Sequence, residues 1–260
     1  DVLALSGGGA DGAYGVGLLR GWQARGDLPE FDVVTGVSTG ALMAPFAFLG
    51  GTYLEQLERL YVGPEVGQIL AQGSALRLLS GPSVYRSRNL SRMIERHVTA
   101  PMIAEIAAQH QLGRRLFIAT ANLDAQILQI WDMGAIAARG DLQSQALFRS
   151  VLLAAASIPL AFDPVMLPPP AIQRMQEAHA DASLFSLIYA DPMLFDPCRQ
   201  RQMPCNIYMI VHNNSVPEPK MIAMKAAKVG ARSIATMIKA NLRATLTKAQ
   251  RDAQQSGFGF

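Results

Sequence analysis

Apolar positions along the chain fall into two patterns: short unbroken runs ending in glycine, and longer stretches with apolar residues every three or four positions. Val2 to Leu5 is of the first kind and reads as a buried strand entering a tight loop. From Gly12 to about Ala24, the residues Ala13, Val16, Leu18 and Leu19 recur at helical spacing. Phe31 to Val37 is a second buried strand, followed by Ser38-Thr39-Gly40 and at once by an Ala/Leu/Met-rich helix. Leu90 to Val98 reads as helix, and Pro101 opens a further helix that Gly113 closes. Leu116 to Ala121 and Ile127 to Trp131 predict a hairpin around an Asn122 to Gln126 turn. Leu142 to Ala156 is an amphipathic helix stopped by Ser157-Ile158-Pro159. Met175 to Asp181 and Asn206 to His212 are the last strands, and a long helix from about Met221 to Ala253 follows.

Strands alternating with helices predict an α/β fold, a three-layer α/β/α sandwich with a largely parallel central sheet. A chain of 260 residues suits one such domain spanning residues 1–260, and no repeat or linker divides it. Gly63 to Arg88 carries Gly, Pro and Ser at short intervals without a sustained period, and reads as an irregular excursion, a candidate lid. The apolar runs Ala41 to Leu49 and Val151 to Phe162 are shorter than the ~20 residues of a spanning helix, and each contains proline.

Half of the residues are hydrophobic and 17% are charged, the balance of a packed globular protein. The net charge of +3 conceals an asymmetry. Eight basic residues and no acidic one lie between Lys220 and Arg251, leaving 15 basic against 20 acidic elsewhere. That basic helix is a solvated face whose Ile234, Ile238, Leu242 and Leu246 pack inward, or a surface for anionic lipid. Met221, Met224 and Met237 read as core or groove filler. Cys198 and Cys205 fit no zinc or redox spacing; they are two thiols or one disulfide. With the start at Asp1, the pair sets the expectation of a cell-envelope or secreted location.

Two motifs carry chemistry. Gly36-Val37-Ser38-Thr39-Gly40 is a G-x-S-x-G between a strand and a helix, the setting of a nucleophile elbow. Ser6-Gly7-Gly8-Gly9-Ala10-Asp11-Gly12 also joins a strand to a helix. Gly7, Gly9 and Gly12 satisfy a dinucleotide-binding pattern, but the next strand ends in Gly36-Val37-Ser38 instead of the acidic residue that reading needs. The glycines make better sense as backbone N–H donors to an anion at a helix N-terminus. An oxyanion loop beside a serine elbow specifies acyl transfer, and the competing class is a non-catalytic anion- or nucleotide-binding module.

The two glycine motifs, the Ala-Ala-Ser-Ile-Pro stretch from Ala155 to Pro159 and the later His179-Ala180-Asp181 together resemble the patatin-like phospholipases. The resemblance implies a patatin-like fold and a lipase or phospholipase A acting on lipid esters; the chemistry expected of it needs no metal or cofactor, and no nucleic-acid partner is expected. It implies a Ser–Asp dyad: Ser38 as nucleophile, Asp181 as base, and Gly7, Gly8 and Gly9 as the oxyanion loop, with the 63–88 excursion shaping an acyl groove. A lipid substrate brings with it the expectation of peripheral contact with a membrane surface. Two positions depart from the family pattern. Asp11 stands where the family usually has Arg or Lys, and Ala182-Ser183 stands where Asp181 is usually followed by Gly-Gly or Gly-Ala. The second departure bears on the turn that presents Asp181 and raises the alternative of an inactive homologue.

Four histidines compete for a role. His212 follows a strand and is the candidate for a Ser-His-Asp triad, where histidine comes last in chain order. His97 and His110 fall on helices and read as surface residues. His179 shares a strand face with Asp181 and reads as its orienting partner or as a structural residue. Asp163, Asp191 and Asp196 each precede proline and read as turn residues, and Trp131 to Gly134 as packing near the site.

Overall fold

The computed structural model describes residues 1–63, 83–159, 161–168, 176–191, 194, 206–212 and 216–256. In chain order these form β1 (Val2–Leu5), α1 (Gly12–Arg25), β2 (Val33–Gly36), α2 (Thr39–Leu49), α3 (Thr52–Val62), α4 (Ser83–His97), α5 (Ala100–Gln111), β3 (Arg115–Asn122) and β4 (Ile127–Asp132). There follow α6 (Met133–Ala138), α7 (Leu142–Ala155), β5 (Val165–Leu167), β6 (Glu177–Asp181), β7 (Ile207–Ile210) and α8 (Ala226–Ser256). Single 3-10 turns at Gly9–Asp11 and Ala182–Leu184 follow β1 and β6.

The strands make one sheet in the order β5-β6-β3-β2-β1-β7, with β4 paired to β3. An α/β fold with a central sheet flanked by helices is therefore present, but parallel pairing is confined to β7, β1, β2 and β3. The pairs β3–β4, β3–β6 and β5–β6 are antiparallel, so the expectation of a largely parallel sheet holds for half of it. The physical reason is connection length: the four-residue turn between β3 and β4 closes a hairpin and is far too short for a parallel crossover.

Side chains alternate across the sheet as the pleat requires. Leu3, Leu5, Val34, Leu116 and Ile118 enter the main core with α1, α2, α5 and α7. Val2, Val33, Phe117 and Ala119 face the other way, where Tyr189, Leu194 and Ala182 cover them. The Thr35 hydroxyl donates to the Tyr189 carbonyl at 2.6 Å and ties that covering segment down. Helix α2 is buried along its whole length from Thr39 to Phe48, as a helix apolar on all sides must be.

One register decides the site. Strand β4 takes one edge of β3 from Phe117 to Asn122. Hence β2, paired to Arg115–Ile118, and β6, paired to Thr120–Asn122, share the other edge. They run toward each other and stop at Ile118 and Thr120, so their carboxyl ends meet nearly head-on.

Other expectations change. Met221, Met224 and Met237 are 98%, 88% and 61% exposed, so they fill neither core nor groove; the first two precede α8, which starts only at Ala226. Leu242 is fully buried on α8, while Ile234, Ile238 and Leu246 are half-buried. The end of the 63–88 excursion is helical from Ser83; its residues 64–82, and with them the lid expectation, lie outside the described residues, as do Cys198 and Cys205. Helix α3 and strand β5 were not anticipated from the pattern. No helix among the described residues is long and apolar enough to cross a membrane.

Candidate active site

Ser38 lies between the end of β2 and the start of α2 with φ 55° and ψ −123°. Positive φ is rare for a residue with a Cβ, and here the surroundings over-determine it. Leu5 accepts the Val37 N–H at 3.1 Å, and the Ser38 carbonyl accepts the Ala41 N–H at 2.9 Å. The chain reverses so tightly that a Cβ on Gly36 would lie 2.6 Å from the Gly40 carbonyl oxygen. One on Gly40 would lie 2.6 Å from the Ser6 carbonyl oxygen. Both glycines of the motif are required by close approach, and Ser38 is left at the carboxyl edge of the sheet, 5% exposed.

Asp181 ends β6 in complete burial. Its N–H is held by the Ser157 carbonyl at 3.0 Å, which makes the Ala155–Pro159 stretch the anchor of the aspartate. Oδ1 accepts the Ser183 N–H at 2.8 Å, whereas Oδ2 is buried and has no hydrogen-bond partner among the described residues. Burial pushes the carboxyl up to about 6, and the neighbouring Ser38 hydroxyl and the Ser183 N–H hold it back from rising further. Ala182 does not strain the turn. It lies outside the positive-φ residues and packs with Val37 and Ala119, so its methyl cements the turn to the serine elbow.

The glycine loop follows β1. The Gly7 N–H is spent on the Leu187 carbonyl at 2.8 Å. This corrects its expected part as an oxyanion donor: Gly7 anchors the loop, and a Cβ there would meet the Ser38 Cβ at 3.1 Å. Among the described residues no acceptor takes the N–H of Gly8 or Gly9, nor that of Thr39 at the start of α2. Thr39 escaped the sequence reading, although its place directly after the serine was the available signal. Its hydroxyl bonds the Tyr61 hydroxyl at 2.7 Å. Asp11 is exposed at the start of α1 and caps no helix N–H through its side chain.

His212 is buried, but it is not placed as the base of a triad. Its ring bonds the Ser6 carbonyl through Nδ1 at 2.7 Å, and its Nε2 meets no hydrogen-bond partner among the described residues, Ser38 included. His179 bonds Thr120 Oγ1 at 2.9 Å, not Asp181, and Trp131 donates to the same oxygen at 2.8 Å. Burial lowers the pKa of both histidines. His97 and His110 are half-buried, the latter 3.6 Å from Asp132, so neither reads as a plain surface residue. A cavity of about 480 Å³ bordered by Phe31, Phe48 and Arg114 opens at the opposite ends of the strands, away from Ser38. The described residues contain no cluster suited to a metal ion.

A serine at a strand–helix elbow, a buried aspartate and a glycine loop thus lie on one central sheet. The family model for patatin-like phospholipases matches residues 3–191, and the chain belongs to that family, at family level one of lipid hydrolases. It is 40% identical over 77 residues to the cUMP-AMP-activated phospholipase of Escherichia coli, a match covering 28% of this chain and 23% of that protein. Among solved structures it is similar to VipD from Legionella pneumophila, at 13% identity and a TM-score of 0.43, over 80% of this chain and 49% of that one. The matches thus span about a quarter of the first relative and half of the second.

Proposed function

We propose that the protein hydrolyses carboxylic esters of lipids, in the manner of a lipase or phospholipase A, through Ser38 and Asp181. The observation that carries this reading is the juxtaposition of an elbow serine with a fully buried aspartate whose pKa stands at about 6. An ordinary carboxylate is a feeble base for a hydroxyl, and dry surroundings make this one stronger. Asp181 takes the Ser38 proton as Oγ attacks the ester carbonyl. The N–H groups of Gly8 and Gly9 receive the oxyanion, and Asp181 returns the proton to the leaving alcohol. Water, deprotonated by Asp181, then attacks the acyl carbonyl, and the proton passes from Asp181 to Ser38 Oγ as the fatty acid leaves. These steps call on no metal or cofactor. We read residues 1–260 as one such domain, because β7, beyond the family match, completes the same sheet beside β1.

A fluorophosphonate tests the assignment directly. One phosphonyl group per chain is expected on Ser38 by peptide mass spectrometry, with a labelling rate that rises as pH passes through about 6. Labelling elsewhere, or none in folded protein, would refute it.

The same reading extends to a lipid surface. Helix α8 lies against the turn that carries Asp181, through Asn241 to the Leu184 carbonyl at 3.4 Å and Thr245 to Ser186 at 3.1 Å. Just before it, exposed Met221 and Met224 are flanked by exposed Lys220 and Lys225. We propose that this segment rests on anionic lipid. Neutralising Lys220, Lys225 and Lys228 to Gln is expected to weaken sedimentation with anionic vesicles by roughly 100-fold, at about 1 kcal/mol per lysine. Turnover of a soluble ester should not change. Undiminished vesicle binding would rule the surface out.

A further inference from the structure

We infer that Ser6 and His212 form a positioning pair that aims the Gly8 N–H at the reacting carbonyl. The inference rests on the proposed hydrolase reading but assigns residues which that reading leaves idle. His212 follows β7, two bonds tie it to Ser6, the residue before the glycine loop, and a third runs from Ser6 on into the loop. Its backbone N–H donates to Ser6 Oγ at 2.8 Å, its Nδ1 donates to the Ser6 carbonyl at 2.7 Å, and Ser6 Oγ in turn donates to the Gly7 carbonyl at 2.8 Å. Because the Ser6 oxygen is a carbonyl, Nδ1 must carry the proton. Nε2 is then a buried lone pair without a donor among the described residues, packed so closely on α1 that a Cβ on Gly15 would lie 2.5 Å from the ring Cδ2.

Two peptide planes are locked as a result. The Ser6–Gly7 unit is held at both ends, its carbonyl by His212 and its N–H by Leu187. In the Gly7–Gly8 unit, the carbonyl is held by the Ser6 hydroxyl, and in a planar trans peptide the N–H points the opposite way. Pinning the Gly7 oxygen therefore sets the direction of the Gly8 N–H, one of the loop donors without an acceptor. His212 also fills the space a Cβ on Gly8 would need: its own Cβ would collide with that point, and its backbone carbonyl oxygen lies 3.1 Å from it. Loop and latch thus interlock. Preorganisation of this kind stabilises the transition state more than the bound substrate.

Steady-state kinetics on a soluble ester test it. Ser6→Ala keeps the backbone and frees the Gly7 carbonyl. Removing an oxyanion donor outright costs about 10²–10³ in kcat, so loosening one is expected to cost roughly 10- to 100-fold, with KM within about twofold. A trifluoromethyl ketone, which mimics the tetrahedral intermediate, should lose affinity by a similar factor. His212→Leu should lose kcat likewise, whereas His212→Asn, whose amide N–H can stand in for Nδ1, should recover most of it. If His212→Leu does not fold, Ser6→Ala and His212→Asn decide. Folded Ser6→Ala with parental kcat, or with a loss confined to KM, would overturn the positioning role. If Ser38 proves essential while Ser6→Ala is neutral, only the latch fails; if Ser38 is dispensable, the hydrolase reading itself fails.

Discussion

A Ser38→Ala variant should lose at least about 10⁴-fold in ester turnover, the scale seen when an activated nucleophile is removed, while its fold persists. The expectation separates the chemistry from the scaffold. Ser38 sits at φ 55° because β2, α2 and the glycines on either side force the reversal, and alanine, with the same Cβ, suffers that conformation no more than serine does. What disappears is Oγ alone. The hydroxyl also offsets part of the burial cost of Asp181, so the aspartate of the variant should titrate higher than the parent's about 6. Turnover of p-nitrophenyl esters and of phospholipid, compared with a thermal melt, checks all of this. Parental turnover in the alanine variant would end the assignment of Ser38, and a collapsed melt would show that the hydroxyl holds the elbow together.

Asp181→Asn should lower turnover by roughly 10³-fold, within the range that a positioned general base contributes, and yet make the protein more stable at neutral pH. The sign follows from the direction of the shift. A buried carboxyl at about 6 against an ordinary 3.8 is protonated more readily in the folded protein than in the unfolded chain. Its ionisation therefore costs nothing below pH ~4, costs increasingly between ~4 and ~6, and reaches its full value above, at most about 3 kcal/mol. Asparagine keeps the shape and still accepts the Ser183 N–H, but carries no charge to bury. The stability gain of the variant should be present at pH 8 and vanish near pH 4. The parent's kcat/KM should fall with acid through about 6, leaving roughly one-tenth of its plateau value at pH 5. An acid limb near 4, or a variant no more stable at pH 8, would show that Asp181 is an ordinary solvated carboxylate. An enzyme that places its base where ionisation is costly trades stability for basicity, a familiar arrangement at catalytic sites.

Much of this protein was legible in local pattern. Glycine beside an apolar run signals a strand entering a turn, because only a residue without a side chain tolerates the approach of neighbouring backbone. The elbow at Gly36 to Gly40 and the loop after Ser6 are legible on such grounds, the β3–β4 hairpin from two apolar runs around a short polar turn, and the halt of α7 from Ser157-Ile158-Pro159; the structure has them all. Family membership was legible for the same reason: its motifs are local.

Long-range pairing decided the rest. That β2 and β6 meet on one edge of β3 is a matter of the register each keeps with β3, from far away along the chain, and no local period encodes it. Composition could not tell that Gly7 would spend its N–H on Leu187, or that Ala182 would sit comfortably in its turn. Nor could it show that His212, last in chain order as a triad histidine should be, turns its ring to Ser6 instead of Ser38. The exposed methionines make the same point, for an apolar residue beside a helix is core only if something packs over it. The sequence by itself determined which residues can do chemistry and which turns present them. Tertiary structure alone decided which of them meet, because hydrogen-bond commitment and burial belong to the packed chain.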